Sequence, residues 1–99
     1  MIKLFKTIDE KFAEIGLYKI QENEYGAIYE RKNGFRHRIM LHHKSSGRHI
    51  IQSYDPDLMD RLTIGNTCVG LTMYETKLCL KKMKKMGWKV YRDKGGQKR

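Results

Sequence analysis

Residues 25–43 read YGAIYERKNGFRHRIMLHH, and they contain the strongest local structural signal in the chain. Asn33-Gly34 is the dipeptide favoured in type I′ turns, because both central residues of such a turn need a positive φ angle. Aromatic and β-branched residues flank the turn, as is typical of strands. The stretch therefore predicts an antiparallel hairpin with strands at 25–32 and 35–43.

A two-residue turn sets the register of the hairpin, so each side chain can be assigned to a face. Pairing Ile28 with Ile39 and Glu30 with His37 gives a largely apolar face, which we expect to pack on helices. The opposite face carries aromatic and basic side chains that we expect to face solvent. We call it the Tyr/Arg face; its residues are Tyr25, Tyr29, Arg31, Arg36, Arg38 and His42.

Helix and strand patterns precede the hairpin. The stretch from Thr7 to Glu10 has the form of a capping box, and apolar residues follow at helical spacing as far as Gly16, where we expect the helix to end. The apolar stripe also extends back to Met1, which leaves an earlier helix start open. Residues 17–22 predict a first strand.

A fourth strand is predicted at residues 48–54, after a turn at residues 45–47. A three-residue loop would place Ile50, Gln52 and Tyr54 on the Tyr/Arg face, whereas a two-residue loop would bury them. We favour the three-residue loop.

A long connection, residues 55–71, leads to the last helix. Asp55-Pro56 predicts a short helical turn within it. The stretch from Thr72 to Glu75 forms a second capping box, and Gly87 is expected to end the helix. The predicted core stripe of this helix consists of Met73, Thr76, Cys79, Leu80, Met83 and Met86. Residues 88–91 predict an edge strand or an extended arm.

These elements predict one α+β domain of the order α-β-β-β-β-α over residues 1–92, followed by a basic flexible tail at 93–99. A chain of 99 residues suits a single domain, and its 39% hydrophobic content argues against wholesale disorder. The sequence has no apolar run long enough to span a bilayer, and its first residues are too charged for a secretory leader. Cys68 and Cys79 have neither CxxC spacing nor the pattern of a disulfide framework. Because there is also no sign of a secretory leader, we predict a protein of the reducing cytoplasm.

The net charge of +10 falls in two blocks. Residues 31–54 hold six basic groups and no acid, and residues 77–99 hold ten basic groups and one acid. The segments 1–30 and 55–76 are mildly acidic. Clustering of this kind points to an anionic partner, such as nucleic acid or an acidic protein surface.

The Tyr/Arg face is the first candidate site, because bases stack on aromatic rings and arginine planes while guanidinium groups pair with phosphates. The alternative is that a helix or the long connection covers this face. The second candidate is the outer side of the last helix, where Tyr74 and Leu78 lie off the predicted core stripe. The lysines around them are Lys77, Lys81, Lys82, Lys84 and Lys85. Such a row could follow a phosphate backbone, or it could be an ordinary solvated surface.

Catalytic and metal-binding patterns are weak. The four histidines are His37, His42, His43 and His49. Strand alternation sends His42 to the face opposite His37 and His43, so three imidazoles do not converge. Asp55, Asp57 and Asp60 could suggest magnesium ligands. We interpret them instead as residues that cap the start of a short helix and interact favourably with its dipole. With no nucleophile–base spacing and no phosphate loop, we predict a non-enzymatic protein without metal or cofactor.

Two resemblances accompany these patterns. The order helix–strands–helix, with the basic run at residues 81–85 (KKMKK), resembles the double-stranded RNA-binding domain in topology, and this carries no residue roles over. The stretches 41–54 (LHHKSSGRHIIQSY) and 68–75 (CVGLTMYE) resemble parts of small uncharacterised proteins from phages and mobile elements of Gram-positive bacteria. That second resemblance brings no known activity and implies a host or defence complex as the partner.

The sequence thus predicts a nucleic-acid or nucleoprotein binder that uses the Tyr/Arg face and the lysines of the last helix. The alternative is a protein-interaction module or an inhibitor of a host complex, with Tyr74, Leu78 and Trp88 as contacts. Neither hypothesis involves a membrane. The oligomeric state stays open, and a homodimer through an edge strand is a third option.

Overall fold

The computed structural model describes residues 6–31, 36–57 and 68–90. The elements are, in chain order, α1 (Ile8–Glu14), β1 (Tyr18–Asn23), β2 (Gly26–Arg31), β3 (His37–His42), β4 (Ile50–Tyr54) and α2 (Met73–Lys85). The strands form one antiparallel sheet of order β1-β2-β3-β4. The predicted α+β class and the order α-β-β-β-β-α are confirmed.

Both helices begin and end as the local sequence predicts. The Thr7 hydroxyl accepts a hydrogen bond from the Glu10 backbone N–H at 3.1 Å, and the Glu10 carboxylate accepts one from the Thr7 backbone N–H at 2.7 Å. A reciprocal pair of the same kind starts α2 at Thr72. Gly16 and Gly87 follow the helix ends with φ angles of 88° and 80°, a region that favours glycine. α1 therefore starts at the capping box, not earlier.

The register of the central hairpin differs by one residue from the prediction. Tyr29 lies opposite Ile39 and Glu30 lies opposite Arg38, and the last pair joins Arg31 to His37. The connection is therefore longer than two residues; Asn33-Gly34 lies outside the described residues. Because side chains alternate along a strand, this shift turns every residue of β2 to the other face.

The inverted face of β2 has a packing reason. The ring of Tyr29 stacks on Phe12 with centroids 4.1 Å apart, and its side chain is fully buried. The predicted register would instead have buried Glu30 beneath the helices and exposed this ring. Burying a large aromatic ring is the more favourable arrangement.

Strands β3 and β4 keep the predicted faces. His42 pairs with Ile50 and Arg38 pairs with Tyr54, which is the register expected for the favoured loop. The unpaired connection covers residues 43–49 and is longer than the three residues predicted. Tyr54 thus lies beside Arg38, whose guanidinium donates to the Tyr54 hydroxyl at 3.4 Å.

The core lies between one face of the sheet and the two helices. Its buried members are Phe12, Leu17, Ala27, Tyr29, Ile39, Leu41, Leu78, Cys79, Met83 and Trp88. Residues from both helices and from β2 and β3 join in this cluster. The opposite face of the sheet is not covered by α1 or α2.

The helix α2 is rotated relative to its predicted core stripe. Its buried residues are Glu75, Leu78, Cys79, Lys82 and Met83. Met73 and Leu80, predicted to be core, are 91% and 57% exposed, whereas Leu78, predicted to be a surface contact, is 1% exposed. The rotation brings two charged side chains, Glu75 and Lys82, toward partners on the rest of the domain.

Residues around the long connection are described only in part. Pro56 and Asp57 are helical, and residues 58–67 lie outside the described residues, as does the tail at 93–99. Val69 donates to the Ser53 carbonyl at 3.0 Å and Cys68 bridges to Tyr54, so this segment pairs with the end of β4. Residues 88–90 form no strand. Within the described ranges, neither helix has the length and apolar character needed to cross a membrane.

Candidate interaction surface

The Tyr/Arg face does not exist as one open surface, because Tyr29 and Arg31 point toward the helices. The Tyr29 hydroxyl donates to the Asp9 carboxylate at 2.6 Å, and burial raises the pKa of this hydroxyl far above its ordinary value. The Arg31 guanidinium donates to the Ile15 carbonyl at 2.8 Å and to Glu75 at 3.0 Å. Neither side chain is available to stack on or pair with an external ligand.

The two arginines that do reach the outer face are paired with Glu30. The carboxylate of this buried residue lies 2.9 Å from Arg36 and 2.7 Å from Arg38. Burial raises the pKa of Glu30, but the hydrogen bonds from Arg36 and Arg38 outweigh it and bring the pKa below its ordinary value. Arg36 also pairs with Asp57 at 2.9 Å. The positive charge predicted for this face is therefore largely balanced within the fold.

The other two residues assigned to that face are separate from this cluster. Tyr25 lies in the turn before β2 and is 67% exposed. His42 lies on the outer face, where its Nε2 is 3.0 Å from the amide oxygen of Gln52. The structure does not bring Tyr25, Tyr29 and Arg31 together with the arginines of β3.

Lys82 belongs to an internal charge network and not to the outer lysine row. Its ammonium lies 3.2 Å from Asp9 and 2.8 Å from Glu22, and Lys19 reaches the same two carboxylates at 2.9 Å each. Partial burial raises the pKa of Asp9, but hydrogen bonds from Tyr29, Lys19 and Lys82 outweigh this and lower it to about 2. Two acids and two lysines thus join α1, β1 and α2.

Four lysines of α2 remain exposed: Lys77, Lys81, Lys84 and Lys85. None of them forms an ion pair with another residue in the part of the chain that the structure describes. Lys77, Lys81 and Lys84 follow one another at i, i+4 and i+7, which places them along one side of the helix. Lys85 lies apart, on a hollow shared with Lys6 and Asp9.

An apolar groove runs beside these three lysines. One hollow of about 450 Å³ is lined by Leu71, Met73 and Leu80 together with the three lysines. A second, of about 400 Å³, is lined by Ile51, Met83, Trp88 and Val90. Leu80 and Lys84 line both hollows, so the two adjoin each other. We call this surface the α2 groove, with an apolar floor and a rim of Lys77, Lys81 and Lys84.

The loop at residues 43–49 adds the other basic block to the groove. Gly47, Arg48 and His49 line the same hollow as Lys84. The Lys44 backbone N–H donates to Nδ1 of His49 at 3.0 Å, and His49 donates from Nε2 to the Lys89 carbonyl at 2.7 Å. With Nδ1 accepting and Nε2 donating, these bonds hold the His49 ring in place beside the groove. Parts of both basic blocks therefore meet on one surface.

The histidines divide between three places. His37 is buried with Nε2 at 2.6 Å from the Ser53 hydroxyl, while His42 lies on the outer face. The rings of His43 and His49 lie 4.8 Å apart, and both contact Trp88. No group of three His, Cys, Asp or Glu side chains in residues 6–31, 36–57 and 68–90 is arranged to hold a metal ion.

The periodicity of the sequence assigned several residues of the groove to the wrong environment. Leu80 falls at core spacing in the sequence, yet it is exposed in the groove floor. Of the three predicted protein contacts, Trp88 lines the groove, Tyr74 is 46% exposed but does not line it, and Leu78 is core. No local pattern in the sequence indicated that Leu80 is exposed, because the buried stripe of α2 is set by contacts of Lys82 with Asp9 and Glu22, which are distant in the sequence.

Comparisons with protein-family models, with curated proteins and with solved structures gave no match.

Proposed function

We propose that the protein is a non-catalytic interaction module that binds an acidic protein partner in the α2 groove. One observation carries this proposal: two adjoining apolar hollows are exposed beside three lysines that have no ion-pair partner among the described residues. Apolar side chains at the centre of an interface supply most of its binding energy, and charges at the rim steer and orient the partner.

The exposed floor distinguishes this surface from an ordinary solvated helix face. On such a face, the methylene stems of lysines cover neighbouring apolar groups while their ammonium groups reach water. Here Leu80 remains 57% exposed and Met73 91% exposed although Lys77, Lys81 and Lys84 surround them. Contiguous apolar surface with a charged rim is typical of a site that a partner covers.

A pull-down with matched variants tests the proposal. Leu80→Asn removes an apolar side chain of the groove floor without adding charge, and Ile20→Asn makes the same change on β1, where Ile20 is 53% exposed. Tagged wild-type and variant proteins are incubated with a nuclease-treated lysate of the source cells, and retained proteins are quantified by mass spectrometry. The resemblance of residues 41–54 and 68–75 to phage and mobile-element proteins makes host complexes the first partners to look for.

We expect wild type and Ile20→Asn to retain the same proteins. Leu80→Asn should lose them by about tenfold or more, the effect of removing one interface anchor. Undiminished retention by Leu80→Asn would contradict the proposal. Circular dichroism and thermal unfolding of both variants check that the fold is intact.

A second candidate, nucleic-acid binding, is favoured by the geometry of the lysines. Lys77, Lys81 and Lys84 form a line along α2, and Arg48 lies at the end of that line on the second hollow. A row of this kind could follow a phosphate backbone, with affinity that falls steeply as salt rises. This hypothesis gives the apolar floor no role.

Fluorescence anisotropy with labelled DNA and RNA of about 20 nucleotides separates the two candidates. Nucleic-acid binding should weaken in the double variant Lys81→Gln and Lys84→Gln and stay unchanged in Leu80→Asn, because only the charges contact phosphate. Binding of an acidic protein should weaken in both.

A further inference from the structure

We infer that the occupant of the α2 groove is an acidic amphipathic helix of about four turns, supplied by a partner protein. This inference rests on the proposed function and specifies the partner's contact segment. Its basis is the length of the groove, the side chains that line it and the positions of the rim lysines.

The length of the groove fits a helix of the partner. Its floor extends along α2, which spans thirteen residues from Met73 to Lys85, or about 20 Å at 1.5 Å per residue. A helix of about 13 to 16 residues that lies along α2 covers that distance. Its apolar residues at i, i+3 or i+4 and i+7 form the stripe that enters such a groove.

Side chains, and not a strand edge, form the walls of the groove. Leu71, Leu80 and Trp88 contribute apolar side chains from α2 and its flanks. Addition of a strand would need a sheet edge in the groove, whereas among the described residues that line it Ile51 alone belongs to a strand. A groove lined by side chains is matched by the side chains of an inserted helix.

The rim sets the sign of the partner's charge. Lys77, Lys81 and Lys84 lie at i, i+4 and i+7, so carboxylates at the same spacing on one flank of the bound helix would face them. A second copy of this chain is a poor occupant. It would set two lysine rims against each other on molecules of net charge +10, and juxtaposed like charges disfavour association.

Selection from a random peptide library tests the inference. The immobilised full-length protein is challenged with displayed peptides of about 16 residues, and selections are repeated on Leu80→Asn and on Ile20→Asn. We expect enriched peptides to carry net negative charge and apolar residues at i, i+3 or i+4 and i+7. Enrichment should persist on Ile20→Asn and be lost on Leu80→Asn.

A synthetic peptide of the enriched sequence gives the quantitative measurement. Trp88 is the single tryptophan of the chain and lines the groove, so its emission should change on binding. The dissociation constant should rise by about tenfold or more in Leu80→Asn and in the double variant Lys77→Glu and Lys81→Glu. A shuffled peptide of the same composition, in which the apolar stripe is broken, should bind much more weakly.

Three results would overturn the inference: enriched peptides that are basic or lack the helical period, equal enrichment on Leu80→Asn, or no enrichment. Each would leave the proposed function standing if the lysate pull-down still loses its protein with Leu80→Asn, since a folded acidic surface would then be the occupant. Displacement of the peptide by DNA would assign the lysine rim to nucleic acid and would also count against the inference.

Discussion

The Tyr29 hydroxyl donates to Asp9, and the Tyr29 ring stacks on Phe12, so one residue joins β2 to α1. We expect Tyr29→Phe to keep the stacking and lose the hydrogen bond, lowering the free energy of unfolding by about 1 to 2 kcal/mol. Tyr25→Phe is the control, because Tyr25 is 67% exposed and its hydroxyl makes no hydrogen bond to a described residue. Urea denaturation measures both variants, and equal stabilities would contradict a stabilising hydrogen bond between Tyr29 and Asp9.

The two cysteines should react very differently. Burial raises the pKa of the Cys79 thiol to about 12 and shields its sulfur, whereas Cys68 is exposed. Since the thiolate is the reactive form, we expect a maleimide to label Cys68 in the native protein and Cys79 only after denaturation. Peptide mass spectrometry identifies the labelled residue. Native labelling of Cys79 would show that α2 is not packed as described.

His37 should make stability depend on pH between about 7 and 5. Burial lowers the pKa of His37 below its ordinary value of 6.5; Glu75 opposes this shift and Arg31 adds to it. In this pH range His37 therefore binds a proton more readily in the unfolded chain than in the folded protein. The free energy of unfolding falls for this reason as the pH drops below about 6.5.

Denaturation series with His37→Gln check this pH dependence. The variant should lose part of the slope that the wild-type protein shows between pH 7 and pH 5. An unchanged slope in His37→Gln would contradict the burial of the His37 ring.

Asp9 affects stability at lower pH. Its pKa of about 2 lies below its ordinary value of 3.8, so its contribution to the free energy of unfolding is present above pH 3.8 and is lost as the pH falls toward 2.

At the scale of elements, the orientation of α2 depends on Lys82. Replacing Lys82 by Met keeps its apolar stem and removes the charge that pairs with Asp9 and Glu22. We expect Lys82→Met to lower the free energy of unfolding by about 1 to 3 kcal/mol, because two carboxylates lose a shared partner. Lys81→Met, the exposed neighbour, should change it by less than about 0.5 kcal/mol. Equal effects in urea denaturation would contradict the network.

Local signals predicted where the elements begin and end. Thr7 and Thr72 start the helices because each capping box is satisfied by residues three positions apart, and Gly16 and Gly87 follow their ends for an equally local reason. The positions of the strands follow from residue type in the same way. The sequence was therefore sufficient for the elements and for their order.

The faces of β2 and α2 could not be predicted in this way. The face of Tyr29 depends on the length of the connection to β3, and a change of one residue in register inverts it. The rotation of α2 depends on Lys82 meeting two acids that are distant in the sequence. Tertiary contacts determine both orientations, and the periodicity of a single helix or strand carries no information about such contacts.

At the scale of the whole molecule, the fold separates basic residues that pair with acids from basic residues that do not. Arg31, Arg36, Arg38 and Lys82 are paired with acids inside the domain or on its outer sheet face. Lys77, Lys81 and Lys84 form no ion pair with a described residue and lie beside the apolar floor. Arg48, from the other basic block, lines the adjoining hollow. Within the described residues, cationic and exposed apolar side chains therefore coincide on the α2 groove.

Lysine acetylation of the immobilised protein, with and without proteins captured from a nuclease-treated lysate, shows whether a partner covers the α2 groove. Lys77, Lys81 and Lys84 should react freely alone and become protected when a partner fills the α2 groove. Lys85 is exposed on the same helix but lines a different hollow, so it should stay reactive in both states. Protection of Lys85 with continued reactivity of Lys77, Lys81 and Lys84 would contradict the α2 groove as the binding surface.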